Sequence, residues 1–210
     1  MINQNSYDKQ LSNWIDNEKI AANLLNLIGQ LMYDKGIEIV LFRQNILDVG
    51  VTELMRLVSY AENVVERKIK LDTALKLTQE ITRMELPPSK LDLGLLTAEF
   101  LEENTNDHKI FLKNKLQNII STEINFSPRD VVLFGFGRIG RLAARELIRQ
   151  AGKGQQMRLK AIVVRNISDE QIEKRANLLR NDSVHGSFKG IVDVDLESRR
   201  IIVNGQIIHL

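Results

Sequence analysis

The run Val131-Val132-Leu133-Phe134-Gly135-Phe136-Gly137-Arg138-Ile139-Gly140-Arg141 joins three signals that seldom meet by chance. An apolar stretch of the kind a buried parallel strand shows leads into three glycines spaced G-x-G-x-x-G. Leu142, Ala143, Leu147 and Ile148 then recur at helical spacing among Arg141, Arg145, Glu146 and Arg149. The glycine spacing alone is weak, because a turn that merely joins a strand to a helix can carry it. Strand, glycine turn and helix in immediate succession are the opening of a dinucleotide-binding βαβ unit.

Each glycine has its own task in such a turn. Gly135 permits the tight bend, Gly137 lets backbone approach a pyrophosphate, and Gly140 lets the helix pack closely on the strand. The helix start then presents unpaired N–H groups and the positive end of its dipole. The candidate cofactor-binding residues are therefore Gly135, Phe136, Gly137, Arg138, Ile139 and Gly140, with Arg138 and Ile139 acting through backbone N–H groups.

A second strand is expected at residues 160–165, running into Asn166-Ile167-Ser168. Arg165 and Asn166 are the candidates for the adenosine ribose. An acidic side chain there favours the 2′-hydroxyl of NAD, and a nearby Arg accommodates the 2′-phosphate of NADP. The cofactor is thus NAD or NADP, with a lean toward NADP. Asn166 follows Gly135 by more than the usual twenty or so residues. Residues 150–156 hold the extra length, and Gly152 and Gly154 there read as a helix C-cap and loop. Ser168-Asp169-Glu170-Gln171 is a capping box for a helix reaching about Leu179. Strands near residues 191–195 and 200–203 follow, and Asn204-Gly205 signals a hairpin into 206–208.

Before Arg129 the pattern is different. Tyr7, Leu11, Trp14, Ala21, Leu25, Ile28 and Met32 alternate steps of four and three, broken only at Glu18. That is an amphipathic helix with a bundle-like seam, expected to bury itself. Further helices are expected at residues 37–47, 52–67, 73–84, 91–103 and 107–122, with Asp72 and Asn106 as N-caps and Pro87-Pro88 as a break. The expected fold class is an all-α N-terminal helical domain, residues 1–125, followed by a partial α/β Rossmann-type, doubly wound nucleotide-binding domain, residues 129–210. Asn125-Phe126-Ser127-Pro128 reads as the linker.

Charge divides at the same place. The first 128 residues carry 14 basic and 18 acidic side chains and the rest 15 and 9, so net charges of −4 and +6 stand side by side. The arginines of the second half lie along one helix and several strands without interleaved aromatics, so a phosphate-bearing small molecule is expected rather than nucleic acid. No apolar run approaches the length of a membrane span. The start, Met1-Ile2-Asn3-Gln4-Asn5, lacks a signal peptide's basic and apolar regions, and there is no cysteine for a disulfide framework. A cytoplasmic protein is expected. No metal-ligand spacing occurs among His108, His185 and His209.

Three motifs in order resemble the phosphorylating glyceraldehyde-3-phosphate dehydrogenases. Gly135-Phe136-Gly137-Arg138-Ile139-Gly140-Arg141 matches that family's G-F-G-R-I-G-R. Residues 181–190, Asn-Asp-Ser-Val-His-Gly-Ser-Phe-Lys-Gly, are similar to its D-S-x-H-G-x-F-x-G, and Ile202-Val203-Asn204-Gly205 to its strand–Asn-Gly–strand hairpin. The erythrose-4-phosphate dehydrogenases share these motifs and are an alternative, as is a non-catalytic helical interaction protein with a vestigial nucleotide fold. Two positions depart from the family: Phe134 stands where Asn is usual, and Ile167 stands where the ribose-binding Asp is usual.

The resemblance implies oxidation and phosphorylation of glyceraldehyde 3-phosphate, with a cysteine thiolate as nucleophile. This chain has no cysteine, so no catalytic residue is expected within it. His185 lies in the second motif and is expected to fix a loop. On this resemblance the chain is the front part of a longer enzyme, inactive alone, meeting its sugar-phosphate substrate only in the full-length protein. Some bacterial members carry a helical N-terminal extension, which the first half resembles. A homo-oligomer is expected, helped by an unpaired sheet edge.

Overall fold

The computed structural model describes residues 4–66, 68–103, 105–121, 127–152, 154 and 156–210. Arg67, Asn104, Thr122, Asn125, Phe126, Lys153 and Gln155, each part of an expected helix end, linker or loop, lie outside the described residues, as do Met1 to Asn3. The chain divides into two units, residues 1–124 and 125–210.

In the first unit, α1 (Gln4–Gln30) continues as a wider π turn over Leu31–Lys35 and ends at Gly36. Its seam is buried from Ala21 onward, through Leu24, Ile28 and Leu31. Tyr7, Leu11 and Trp14 are exposed, contrary to the expected self-burial. Length explains this. A helix rises about 1.5 Å per residue, and the helices packed on α1 are roughly half as long.

The expected helix at 37–47 is instead two strands, β1 (Glu38–Leu41) and β2 (Gln44–Asn45). Phe42 and Arg43 form the turn between them, both at positive φ, the geometry a two-residue hairpin requires. Neither is glycine. Their N–H groups donate to the two carboxylate oxygens of Asp92, each at 2.9 Å, and that clamp holds the turn.

Two helices follow, α2 (Val51–Val65) and α3 (Leu71–Arg83). Lys70, not Asp72, stands at the N-cap of α3, and Asp72 pairs with Lys76 across one turn. β3 (Lys90–Asp92) then pairs parallel with β1, giving a sheet of order β2-β1-β3. The first unit is therefore mainly helical but not all-α. Ile39, Leu41 and Leu91 sit in its core with Leu54, Leu77 and Ile81. α4 (Leu93–Glu102) and α5 (His108–Lys115) are capped by Asp92 and Asp107, the latter in place of the expected Asn106. α6 (Gln117–Ile120) closes the unit's described helices.

The second unit begins β4 (Arg129–Phe134), α7 (Arg138–Gln150), β5 (Met157–Val163), α8 (Asp169–Arg180). β6 (Asn181–Asp182) and β7 (Gly186–Ser187) make a short ribbon. β8 (Val192–Asp195), β9 (Arg200–Val203) and β10 (Gln206–His209) complete a five-stranded sheet of order β4-β5-β10-β9-β8. β4 and β10 flank β5 in parallel, and the remaining pairings are antiparallel. Asn204 and Gly205, both at positive φ, turn β9 into β10.

Within residues 129–210 β4 is the outermost strand of the sheet, with Val132 and Phe134 exposed. Lys160 is an extra residue opposite β4, and beyond it the pairs Val132–Ala161 and Phe134–Val163 share the sheet's open face. Leu159, Ile162, Ile201 and Ile208 are buried with Ala144 and Ile148 of α7 and Ile172 and Ala176 of α8. Among the described residues no helix is long and apolar enough to cross a membrane.

Candidate dinucleotide site

The glycine turn has the geometry its spacing implies. Gly135 lies at φ +92°, a conformation L side chains rarely adopt, and its N–H donates to Val163 O at 2.9 Å, tying the turn to β5. A Cβ on Gly140 would lie 2.5 Å from Gly135 O, so helix and turn touch backbone to backbone. Gly137 is the N-cap of α7 and has open space where a Cβ would be. No side chain caps the helix there. The first intrahelical bond is Arg141 N–H to Gly137 O, so the N–H groups of Arg138, Ile139 and Gly140 have no carbonyl four residues back within α7. A bare helix start with a vacant Cβ position fits a pyrophosphate.

Beside the turn, at the ends of β4 and β5, lies an open cleft of about 480 Å³. Phe134, Phe136, Val163 and Val164 form its apolar walls around Gly135. Arg165 and Arg175 edge it. Phe134 is 92% exposed. Of the expected ribose pair, Arg165 lines this cleft, and Asn166 is not among its lining residues. Asn166 Oδ1 accepts from Ser168 N–H at 2.9 Å, which shapes the entry to α8. Ser168 holds the N-cap position, but its side chain makes no capping bond. The sequence did not single out Arg175, and it marked Phe134 only as a departure from the family at the position before the first glycine. Arg175 is six residues into a helix and reaches the cleft only once α8 is placed against the strand ends.

The second and first motifs meet in a buried ion pair. Arg141 Nη2 donates to Asp182 Oδ2 at 2.9 Å, and Asp182 is almost wholly buried. Asp182 Oδ1 also accepts from the N–H groups of Val184 and His185. His185 enters this network through its backbone. Arg145 donates to Leu179 O and Gly186 O and lies over the Phe188 ring. α7 is thereby bolted to the loop between β6 and β7. In the third motif, Asn204 Oδ1 accepts from Ile191 N–H at 2.8 Å, joining the hairpin turn to the start of β8.

The backbone bond from Val184, then Arg141, then the His185 backbone hold the Asp182 carboxyl well below the usual carboxylate range. A depressed carboxylate stabilises the fold above its unfolded value of about 3.9, and that stability is lost as pH falls toward the folded value. The second unit should therefore weaken progressively below about pH 4. Asp182→Asn should be less stable at pH 7 and show a shallower acid slope in urea melts at pH 7 and pH 3. Equal slopes in the two proteins would exclude Asp182 as the source.

Residues 129–210 match the sequence model described as "Glyceraldehyde 3-phosphate dehydrogenase, NAD binding domain". Over this segment the chain is similar to that domain family. A glyceraldehyde-3-phosphate dehydrogenase-like protein of Pseudomonas aeruginosa (strain UCBPP-PA14) is 33% identical over 193 residues, covering 89% of this chain and 42% of its own length. That alignment is longer than residues 129–210 can supply, so the likeness extends well into the helical unit. Glyceraldehyde-3-phosphate dehydrogenases of Zymomonas mobilis subsp. mobilis (strain ATCC 31821 / ZM4 / CP4) and Bacteroides fragilis (strain YCH46) are 32% and 38% identical over 81 and 76 residues. Each alignment covers 36% of this chain, and 22% and 20% of those relatives. The chain spans less than half the length of the relatives it matches. The description of that model names NAD as what the domain binds. Among the described residues, no cluster of His, Asp and Glu could hold a metal ion.

Proposed function

We propose that this chain supplies the dinucleotide-binding start of a phosphorylating glyceraldehyde-3-phosphate dehydrogenase. Residues 129–210 are the N-terminal portion of its nucleotide-binding domain, and residues 1–125 are a mainly helical extension. The observation that carries this reading is the bare start of α7 at Gly137, open where a Cβ would stand, in a segment matching that domain.

Gly135 and Phe136 shape the turn, Arg138, Ile139 and Gly140 offer N–H groups, and Arg165 and Asn166 stand at the ribose end. A bound nicotinamide dinucleotide would accept the hydride. Nucleophilic attack on the aldehyde needs a thiolate, and this chain has no cysteine. The chain alone should therefore form no NAD(P)H from glyceraldehyde 3-phosphate and phosphate. The cysteine-bearing protein that contains it should bind the cofactor and carry out that oxidation, as a cytoplasmic homo-oligomer. The reading fails if that protein shows neither binding nor phosphate-dependent oxidation.

Ile167 stands where a ribose-binding carboxylate is usual, so the cofactor preference leans toward NADP. Ile167→Asp should shift the ratio of kcat/KM for NAD over NADP a few-fold upward in the full-length protein. An unchanged ratio would remove position 167 from cofactor choice.

A further inference from the structure

The first half of α1 carries an apolar seam that is left exposed. We propose that a second copy of this chain covers it, the two α1 helices packing antiparallel about a two-fold axis between residues 12 and 13. The inference concerns the helical unit alone and does not rest on the dinucleotide reading.

Tyr7, Leu11, Trp14 and Ile15 are exposed at 61%, 44%, 48% and 39%. The first three follow the steps of four and three that Ala21 and Ile28 continue inside the core. The same seam is therefore buried over the second half of α1 and open over the first. Residues 4–18 extend roughly 20 Å at about 1.5 Å per residue, enough for several layers of side chains. Trp14 also borders a groove of about 780 Å³, walled by Met55 and Val58 of α2 and by Ile69 and Leu71 where α3 begins. A helix laid on the seam passes along the mouth of that groove and gains further apolar contact.

Glu18 decides the occupant and its direction. It holds the seam position after Trp14, and one polar group in such a seam sets the register of a helix pair. Lys19, its neighbour in sequence, pairs with Asp16 instead. In a parallel pair of copies the two Glu18 carboxylates would face and repel each other. In an antiparallel pair the layers become Tyr7 against Glu18 and Leu11 against Trp14, each repeated across the axis. The Tyr7 phenol then donates to the Glu18 carboxylate, and Leu11 packs on the Trp14 indole. Glu18 also comes to the first turn of the other copy's α1. That turn holds no acidic residue of its own and presents the positive end of the helix dipole. The seam thus carries both halves of its own complement, as a closed two-fold interface requires, and this singles out a second copy as the occupant.

The seam is short, so the interface falls near the small end of specific ones, at about 1,200 Å² in total. Sedimentation equilibrium of the 210-residue chain without cofactor should show monomer and dimer exchanging across the micromolar range. Leu11→Glu should raise the dissociation constant about tenfold or more, because it buries unpaired carboxylates in the seam. Val132→Lys, on the open sheet face of the second unit, should leave that constant unchanged. Leu11 is exposed, so its variant should melt as the parent does. Cross-linking gives an independent answer, since the chain has no cysteine of its own. Under mild oxidation, Tyr7→Cys mixed with Glu18→Cys should form a disulfide-linked pair several-fold faster than either variant by itself. A chain that stays monomeric throughout overturns the inference and leaves the seam to another partner. A dimer that survives Leu11→Glu, or that Val132→Lys dissolves, overturns it too. Self-linking of Glu18→Cys as fast as the mixed pair would overturn the antiparallel arrangement.

Discussion

Replacing Gly137 with valine should leave residues 129–210 folded and remove most of the full-length protein's dinucleotide affinity. Gly137 lies at φ −74° and ψ −167°, extended backbone that any residue adopts. A Cβ there would meet no heavy atom within 4 Å. The folded chain therefore loses little beyond the modest preference of an N-cap for glycine over valine. The ligand loses much more. The new side chain fills the approach to the N–H groups of Arg138, Ile139 and Gly140. A hydrogen bond to a charged group contributes about 1.5–3 kcal/mol. Losing two of them would weaken binding roughly a hundredfold or more. Titration of NADH or NADPH fluorescence with parent and variant measures this, and Gly137→Ala should show a smaller loss. Parental affinity in a Gly137→Val protein with a parental melting curve would refute the pyrophosphate site.

Gly140→Ala should do the reverse and damage the fold first. Alanine normally stabilises a helix by about 1 kcal/mol relative to glycine. At this position its Cβ would lie 2.5 Å from Gly135 O and 3.3 Å from the Gly135 carbonyl carbon. Those are backbone atoms and cannot rotate away. Gly135 is itself at φ +92°, so the turn has little freedom to yield. Overpacking of this kind costs about 1–3 kcal/mol. In a domain this small, that lowers the unfolding midpoint by roughly 10 °C. A thermal melt followed by circular dichroism gives the answer. The sign decides it: a neutral or stabilising Gly140→Ala would mean that helix and strand do not touch here.

The elements legible in the sequence were those specified by neighbours in the chain. β4, the glycine turn, α7 and β5 follow one another within residues 129–163, each with its own local signature. The Asn204-Gly205 hairpin was legible for the same reason, since a two-residue turn with both φ positive states its requirement in two adjacent residues. The strands at 37–47 were not. Their turn residues, Phe42 and Arg43, are ordinary side chains, held at positive φ by a carboxylate about fifty residues away. No window of the sequence contains both halves of that clamp.

Residues 131–141 by themselves determined that this protein holds a strand–glycine–helix start, because backbone freedom and hydrophobic spacing are properties of adjacent residues. Tertiary structure alone decided which strands pair with β4 within residues 129–210 and left Phe134 exposed there. It alone paired Arg141 with Asp182, brought Arg175 beside Arg165, and left Tyr7 to Trp14 of α1 uncovered. An apolar run states that a face can be buried, but not whether another element arrives to cover it. A lone arginine likewise carries the same charge wherever it stands, and only packing sets it against a partner.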